Sequence, residues 1–251
     1  MDPCPTAWGR VWPQRTAGPG GESTPMAPAM ALALEASFGS VQRWRDEFLA
    51  LGKACGAKPG RVQLAFQPDR GLLVNQGLAA HPPVQADGVP LLALELSGPG
   101  RSAEAVAAIG AELDALLETL LSGIDWAAIH LRYQAAVQAA SEAFGAGPDE
   151  IGGALLLDVR RAGAFQQAGR MLPGARWRDP AAVARWSTEL PAGQAVVVYC
   201  VHGHEVSRAT ALRLRAAGLD ARHLRGGIEG WQAAGRPLVD KPADPAAGPA
   251  P

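Results

Sequence analysis

The pattern of apolar residues changes near residue 145, and this change most constrains how the chain folds. Beyond it, short runs that are apolar at successive positions alternate with segments of helical periodicity. The apolar runs cover 154–159, 195–199 and 221–224, and the helical segments cover 181–189 and 207–217. Strands that are apolar on both faces and joined by helices are typical of a buried parallel sheet. The second half is therefore predicted to be α/β, with a central parallel sheet flanked by helices.

The first half combines helical periodicity with a separate group of short strands. Helices are predicted over 29–37, 41–54, 102–121 and 125–140, with Ser102 and Asp125 as N-caps. Strands are predicted over 61–66, 72–75 and 89–96. The first two strands flank the turn residues Pro68–Gly71 and form a hairpin. These elements predict an α+β domain with a small antiparallel sheet.

Proline and glycine are concentrated at both ends of the chain, where they interrupt helix and strand alike. We therefore predict four segments: a disordered arm, an α+β domain, an α/β domain and a disordered tail. Their boundaries are 1–19, 20–140, 150–240 and 241–251. Neither end is expected to carry chemistry.

The charge balance and the apolar pattern exclude two classes of partner. The chain has 23 Lys and Arg against 24 Asp and Glu, a net charge of -1, and no basic stripe that would hold a nucleic-acid backbone. Its longest apolar run is far below the roughly 18–20 residues that cross a hydrocarbon core. We expect neither a nucleic-acid nor a membrane partner.

The three cysteines, Cys4, Cys55 and Cys200, form no CxxC pair. Neither a disulfide framework nor a cysteine-rich zinc site is therefore indicated. Residues 1–13 also lack the apolar core of a secretory signal. These features predict a protein of the reducing cytoplasm.

Cys200 directly follows the apolar run 195–199 and precedes a loop and a helix that is predicted to begin near Ser207. At this place in a parallel sheet, backbone N–H groups and the positive end of the next helix point towards a ligand. A thiol there ionises readily and acts as a nucleophile, so we predict Cys200 as catalytic; the alternative is a buried thiol that only packs. The predicted anion-binding loop comprises Val201, His202, Gly203, His204, Glu205, Val206, Ser207 and Arg208.

Four segments, taken in order, resemble the rhodanese homology domain. They are Leu155–Arg160, Leu172–Ala175, Val196–Cys200 and Leu224–Trp231, and the resemblance covers Ile151–Val239. It implies a sulfurtransferase whose Cys200 becomes a persulfide. A sulfane sulfur then passes from a thiosulfate-like donor to a thiophilic acceptor, a thiol or cyanide. Asp158 and Arg160 have supporting roles in this interpretation, and no cofactor is expected.

The loop after Cys200 departs from the pattern of many rhodanese-like domains, in which a glycine is followed by an arginine and a serine. It is predicted to be one residue longer, which is typical of related phosphatases and arsenate reductases. Val206 occupies the position of the arginine that those enzymes use for a dianion, and Arg208 is a partial substitute. Phosphate or arsenate chemistry is therefore a weaker alternative, alongside a non-catalytic rhodanese-fold module that binds or regulates a partner.

His202 and His204 bracket Gly203 and suggest a metal site with Cys200. For Cys200, His202 and His204 to bind one ion, all three side chains would have to turn towards one point inside the loop, and no further ligand is apparent. We interpret the two histidines as donors that line the loop. Glu205 either opposes their charge or points to solvent. No metal is predicted.

The first half resembles the C-terminal α/β domain of iron and manganese superoxide dismutases. The resemblance spans residues 20–138 and rests on Gly20–Glu22, Phe38–Ser40, Val89–Leu94, Ile124–Trp126, Arg132 and Tyr133. In that family the metal is held by a carboxylate, a histidine four residues later and two histidines of an N-terminal hairpin. Here Glu95 takes the carboxylate place, Pro99 stands where the next histidine would be or that residue is deleted, and no histidine precedes His81.

This ligand count predicts a metal-free, degenerate domain that is kept for packing, dimerisation or docking. Superoxide dismutation is the weakest of the functional alternatives. The resemblance also implies that two copies can pair through this half as a homodimer.

Overall fold

The computed structural model describes residues 24–56, 60–79, 87–95, 117–119 and 121–242. The predicted arm, 1–19, lies outside these ranges. So do the predicted tail beyond Pro242 and most of the predicted helix over 102–121.

The first half packs helices against a three-stranded antiparallel sheet. Its elements are α1 (Pro28–Phe38), α2 (Val41–Gly56), β1 (Gly60–Gln67), β2 (Leu72–Ala79), β3 (Val89–Glu95) and α3 (Trp126–Ser141). The strand order is β2-β1-β3, with both neighbours antiparallel to β1. The predicted hairpin and third strand are therefore confirmed, and the hairpin strands extend beyond their predicted ends.

Helix α3 begins where the sequence predicts, because Asp125 caps it. The Asp125 carboxylate accepts a hydrogen bond from the backbone N–H of Ala128 at 3.1 Å, and Thr24 Oγ1 donates to the same oxygen at 3.0 Å. The backbone donor at Ala128 holds the pKa of Asp125 below its usual value. The cap and the buried side chains of Ile129 and Tyr133 fix α3 in the first half.

The second half is α/β. Its strands are β4 (Gly145–Ala146), β5 (Leu155–Asp158), β6 (Arg170–Met171), β7 (Arg176–Trp177), β8 (Val196–Tyr199), β9 (Ala221–Leu224) and β10 (Val239–Asp240). Its helices are α4 (Ala162–Gln167), α5 (Val183–Trp186), α6 (Glu205–Ala216) and α7 (Gly227–Ala233). Short 3₁₀ turns lie at Glu142–Phe144, Pro180–Ala182 and Ser187–Glu189.

Five of these strands form one parallel sheet in the order β4-β9-β8-β5-β7, and β6 pairs with β10 in a separate antiparallel ribbon. The predicted parallel sheet is confirmed. Two predicted helices differ in detail. The segment 181–189 is divided between α5 and two 3₁₀ turns, and α6 begins at Glu205 rather than near Ser207.

Strand β8 is central and fully buried, and its side chains supply both faces of the sheet. Val196 and Val198 lie in the core on one face, and Val197 and Tyr199 lie in the core on the other. Successive side chains of a strand point to opposite faces, so a strand covered on both sides must be apolar at every position. This is the physical basis of the uninterrupted run that precedes Cys200.

The two halves share a core through α6. Ala209 and Leu212 of α6 belong to the hydrophobic cluster of the first half, and the hairpin turn sits directly on them. A Cβ atom on Gly71 would lie 2.8 Å from the Leu212 Cβ and 2.9 Å from the Ala209 carbonyl oxygen. Arg213 of the same helix donates to the carbonyl of Ala36 in α1 at 2.7 Å. Helix α6 is thus packed by both halves.

Among the described residues, no helix combines the length and apolar character that a membrane span requires.

Replacing Leu212 with alanine is expected to lower the free energy of unfolding by about 3 kcal/mol, because the cavity would lie in a core that both halves share. Leu131, which is 65% exposed on α3, provides the matched control. Leu131→Ala should change that free energy by less than about 0.5 kcal/mol. Urea unfolding followed by circular dichroism measures both variants. Equal effects of the two substitutions would contradict the shared core.

Candidate functional site

Cys200 lies at the carboxyl end of β8, where the sequence places it. Its residue surface is only 6% exposed, and its Sγ lies 3.1 Å from the hydroxyl of Ser207, which is buried in the first turn of α6. The Ser207 hydroxyl also lies 3.4 Å from the carbonyl oxygen of His204. Ser207 can therefore donate either to that carbonyl or to a Cys200 thiolate.

The segment Val201–His204 connects β8 to α6 and presents its backbone amides without internal partners. In the described part of the chain, no backbone carbonyl accepts a hydrogen bond from the N–H groups of residues 201–204. Amides at the entrance of a helix, next to its positive end, form a cradle for an anion or a developing negative charge. The four backbone N–H groups that directly follow Cys200 are therefore without backbone acceptors in the described structure.

The segment at the start of α7 holds this loop in shape, a role that the sequence alone did not indicate. Ile228 donates its N–H to the carbonyl of Cys200 at 3.0 Å, and Glu229 donates to the carbonyl of Val201 at 3.2 Å. Gly227 has a φ of +59°, and a Cβ atom there would lie 2.5 Å from both of those carbonyl oxygens. The close approach of two backbones requires glycine at this position.

Gly203 makes the reciprocal contact from the loop side. Its φ is +70°, and a Cβ atom would lie 2.7 Å from the N of Gly226. The run of glycines after β9 could have indicated this contact in the sequence, because glycines allow two loops to approach at backbone distance.

Glu205 does not point to solvent, which corrects one of the two orientations expected from the sequence. It is buried, and its Oε1 lies 3.1 Å from Nε2 of His130. Its Oε2 accepts a hydrogen bond from Nε2 of Gln134 at 3.0 Å. Burial raises the pKa of Glu205, but hydrogen bonds from its own backbone N–H, Gln134 and His130 together lower it below its usual value. The carboxylate is therefore held ionised in the first turn of α6.

Arg208 is not available as a substitute for the missing anion-binding arginine, which corrects the second expectation. Its Nε donates to the carbonyl of Gly203 at 2.9 Å. Its Nη1 lies 3.2 Å from the hydroxyl of Ser141 and 3.0 Å from the carboxylate of Glu142. Val206, at the arginine position of the phosphatases, lines a shallow cleft between α1 and α6 that does not include Cys200.

His202 and His204 lie at the exposed rim of the loop. Nδ1 of His202 is 2.8 Å from the carboxylate of Glu229, and the two imidazole rings lie 5.4 Å apart between centroids. Across the described ranges, no three His, Cys, Asp or Glu side chains lie close enough together to hold a metal.

Asp158 and Arg160 brace the sheet beside the loop. The guanidinium of Arg160 donates to both carboxylate oxygens of Asp158, with Nε at 3.0 and 2.9 Å. Tyr199, whose polar role the sequence did not indicate, donates its hydroxyl to Asp158 at 2.9 Å and accepts a hydrogen bond from the N–H of Leu172. The network joins the ends of β5 and β8, and it explains why a carboxylate and a guanidinium can be buried here.

One further histidine, His223, lies in the sheet next to β8. It is buried in β9, and its Nδ1 has no hydrogen-bond partner among the described residues. Burial, aided by the charge of Arg208, lowers the pKa of His223 to about 4. The imidazole is therefore neutral near pH 7 and contributes no positive charge to the site.

Residues 140–234 match the family model described as the rhodanese-like domain. This part of the chain is a rhodanese-like domain. The family resemblance read from the sequence is confirmed, and the match begins inside α3, ten residues before the predicted boundary at 150.

The N-terminal region of the chain is similar to a curated relative. A superoxide dismutase (Fe) from Cupriavidus metallidurans is 36% identical over 118 residues. The alignment covers 47% of this chain and 58% of that enzyme, so the chain spans less than two thirds of the relative's length. The resemblance of the first half to superoxide dismutases is thus also confirmed.

Two solved structures illustrate the matches to the rhodanese-like domain. A rhodanese-related protein from Thermoplasma volcanium is 20% identical with a TM-score of 0.34, and the match covers 38% of this chain and 96% of that protein. A thiosulfate sulfurtransferase from Pseudomonas aeruginosa is 24% identical with a TM-score of 0.33, over 38% of this chain and 19% of that enzyme.

The donor set of the first half does not fit the iron of the dismutase relative. The first 140 residues contain two histidines, His81 and His130, whereas the family resemblance calls for three together with a carboxylate. His130 is already bonded to Glu205 of the rhodanese-like domain. His81 and the side chain of Glu95 lie outside the described parts of the structure.

Replacing Gly227 with alanine should both destabilise the protein and displace the loop. The positive φ and the overlap with two carbonyl oxygens together should lower the free energy of unfolding by about 3 kcal/mol. Gly193, with a φ of +77° and nothing within 4 Å of a Cβ position, is the matched control. Gly193→Ala should cost about 1 kcal/mol from backbone strain alone. Thermal and urea unfolding measure the difference, and equal losses would disprove the close backbone contact.

Proposed function

We propose that the rhodanese-like domain is a sulfurtransferase that carries a sulfane sulfur as a persulfide on Cys200. The observation that carries this proposal is the placement of the Cys200 thiol at the end of β8, beside the Ser207 hydroxyl and the unpartnered amides of residues 201–204. A thiolate needs donors around it, and a persulfide develops charge on its outer sulfur. This loop offers donors for both.

In the first half-reaction, the Cys200 thiolate attacks the outer sulfur of a thiosulfate-like donor. A bond forms between Sγ and that sulfur, and the sulfur–sulfur bond of the donor breaks. Sulfite leaves with the electron pair. The amides of residues 201–204 donate to the transferring sulfur as its charge increases. The Ser207 hydroxyl turns from the His204 carbonyl towards Sγ and stabilises the thiolate before attack.

In the second half-reaction, a thiolate or cyanide attacks the outer sulfur of the persulfide. The bond between Sγ and the outer sulfur breaks, its electron pair returns to Sγ, and Cys200 is restored as the thiolate. The products are a new persulfide or thiocyanate. Both half-reactions are displacements at sulfur, and neither one uses a metal or a redox cofactor.

Contacts at the first turn of α6 disfavour phosphate or arsenate chemistry. A tetrahedral dianion binds best to a bidentate guanidinium. Val206 supplies none, and the guanidinium of Arg208 is bonded to Gly203, Ser141 and Glu142. The ionised Glu205 adds a negative charge to the same turn. Thiosulfate is a dianion too, but its sulfite leaves when the outer sulfur is transferred, so after the first half-reaction the loop holds only that single sulfur.

Cys200→Ser should abolish transfer of sulfur from thiosulfate to cyanide, because a serine oxygen forms no persulfide. Cys4→Ser is the matched control and should retain full activity. Thiocyanate formation measures turnover. Mass spectrometry of the wild-type protein after thiosulfate exposure should show one added sulfur on the Cys200 peptide.

Absence of that adduct with thiosulfate, a low-molecular-weight persulfide and a thiosulfonate as donors would overturn the sulfurtransferase proposal. The rhodanese fold would then serve as a binding or regulatory module, an interpretation that the 6% exposure of Cys200 would support.

Ser207→Ala should slow persulfide formation about tenfold, the size expected for one hydrogen bond to a charged group. Thr210 provides a matched control one turn along α6, where its hydroxyl donates to the carbonyl of Val206. Thr210→Val should retain at least half of the wild-type rate. Single-turnover mixing with thiosulfate measures both rates. A Ser207→Ala rate equal to that of the control would remove Ser207 from the mechanism.

A further inference from the structure

We propose that helix α3 of the dismutase-like half is the positioning element for the sulfur-transfer loop, acting through Glu205 and Arg208. The inference rests on the proposed function of that loop. The inference gives the first half a role for which no metal is needed. In this role, the first half supplies the helix against which the active-site loop is held.

The first contact is at the junction between loop and helix. Glu205 is the first residue of α6, and both of its carboxylate oxygens bond to side chains of α3, those of His130 and Gln134. His130 and Gln134 are four residues apart, so they lie on one face of α3. A buried carboxylate is stable only when its oxygens have donors, and both of these donors come from the first half.

The second contact reaches into the loop itself. Arg208 donates from Nε to the carbonyl of Gly203 and from Nη1 to Ser141 and Glu142 at the end of α3. The guanidinium is planar and rigid, so it fixes the distance between the loop carbonyl and the helix end. Loop and α3 are thereby joined by a chain of hydrogen bonds on both sides of Ser207.

These contacts matter because the loop has little internal support. The amides of residues 201–204 have no backbone acceptor in the described structure, so they cannot fix the loop against motion. The carbonyls of Cys200 and Val201 are held by α7 from one side. Glu205 and Arg208 hold the other side through α3. Donors keep a fixed geometry only when the residues around them are rigid. Helix α3 supplies the rigid contacts on one of the two sides of the loop.

Helix α3 is itself anchored deeply enough to serve as a support. Tyr133 and Val137 are buried in the first-half core together with Ala209 and Leu212 of α6. The side chain of Gln134 lies between α3 and α6, and the core that these two helices share keeps them from moving apart. The positioning contacts therefore transmit the rigidity of the first half to the loop.

Gln134→Leu tests this role, with Gln138→Leu as the matched control. Gln138 lies one turn further along α3 with an exposed side chain, so both variants exchange the same two residue types on the same helix. We expect Gln134→Leu to lower kcat/KM for thiosulfate about tenfold, mainly by raising KM, because one bond to a charged group is lost. Gln138→Leu should stay within twofold of wild type.

Alkylation of Cys200 by iodoacetamide, read on its peptide by mass spectrometry, gives a second readout that does not depend on sulfur transfer. In Gln134→Leu the loosened first turn of α6 should uncover the thiol and speed its alkylation about fivefold, a change of the order expected from one lost hydrogen bond. The Gln138→Leu rate should match the wild type. Both variants are compared well below their unfolding temperatures.

Exchange of the two partners provides a rescue. Gln134→Glu alone places two carboxylates together and should impair activity more than Gln134→Leu. Adding Glu205→Gln restores one donor and one acceptor across the same contact, and should recover most of the wild-type KM. A role of Gln134 in folding alone would not produce recovery in KM.

The outcomes separate the two proposals. A wild-type protein that forms no Cys200 persulfide overturns the proposed function, and the alkylation rates then decide the positioning role by themselves. A wild-type protein that transfers sulfur while Gln134→Leu and Gln138→Leu behave alike in both KM and alkylation overturns the positioning role.

Discussion

The packing of α6 against two cores is the constraint on which the rest of the structure depends. One face of this helix closes the first-half core through Ala209 and Leu212, and another packs on the parallel sheet through Ala211 and Leu214. Its first turn also carries Ser207, which touches the Cys200 sulfur. A helix held on two sides has little freedom to shift, because protein interiors are packed as densely as organic crystals. The position of the thiol's neighbours is therefore set by both halves of the chain.

Charge at the site is arranged differently from that of an oxyanion-binding enzyme. The positive end of α6 is partly balanced by its own carboxylate, Glu205, which is fully supplied with donors. The remaining favourable field comes from the loop amides. His223 is neutral near pH 7, and Arg208 is committed to Gly203 and Glu142. In the proposed function, the loop amides stabilise the single transferring sulfur, and no guanidinium is free at this turn to bind the oxygens of a phosphate or an arsenate.

Much of the fold could be predicted from local patterns, whereas the environment of the thiol could not. The hairpin at Gly71, the N-cap at Asp125 and strand β8 each follow from residues that are close in sequence, through turn chemistry, capping and burial on both faces. The sequence predicts Glu205 to face its own loop or solvent, but its partners lie on α3, more than 70 positions earlier in the chain. The sequence likewise predicts that Arg208 binds an anion, because its actual partners, Ser141 and Glu142, also lie far away in the chain. The direction of a long polar side chain depends on which distant helix packs beside it.

The sequence by itself determined that Cys200 follows a buried strand of a parallel sheet, because the run before it is apolar at every position and the segments around it have helical periodicity. It also determined that the first half has fewer histidines than the metal site of a dismutase requires, because histidines can be counted in the sequence. Only the tertiary structure decided what surrounds the thiol. The contacts of Gly227 with the loop carbonyls and of α3 with Glu205 join residues that no local periodicity relates, and they exist because the two halves are packed around one helix.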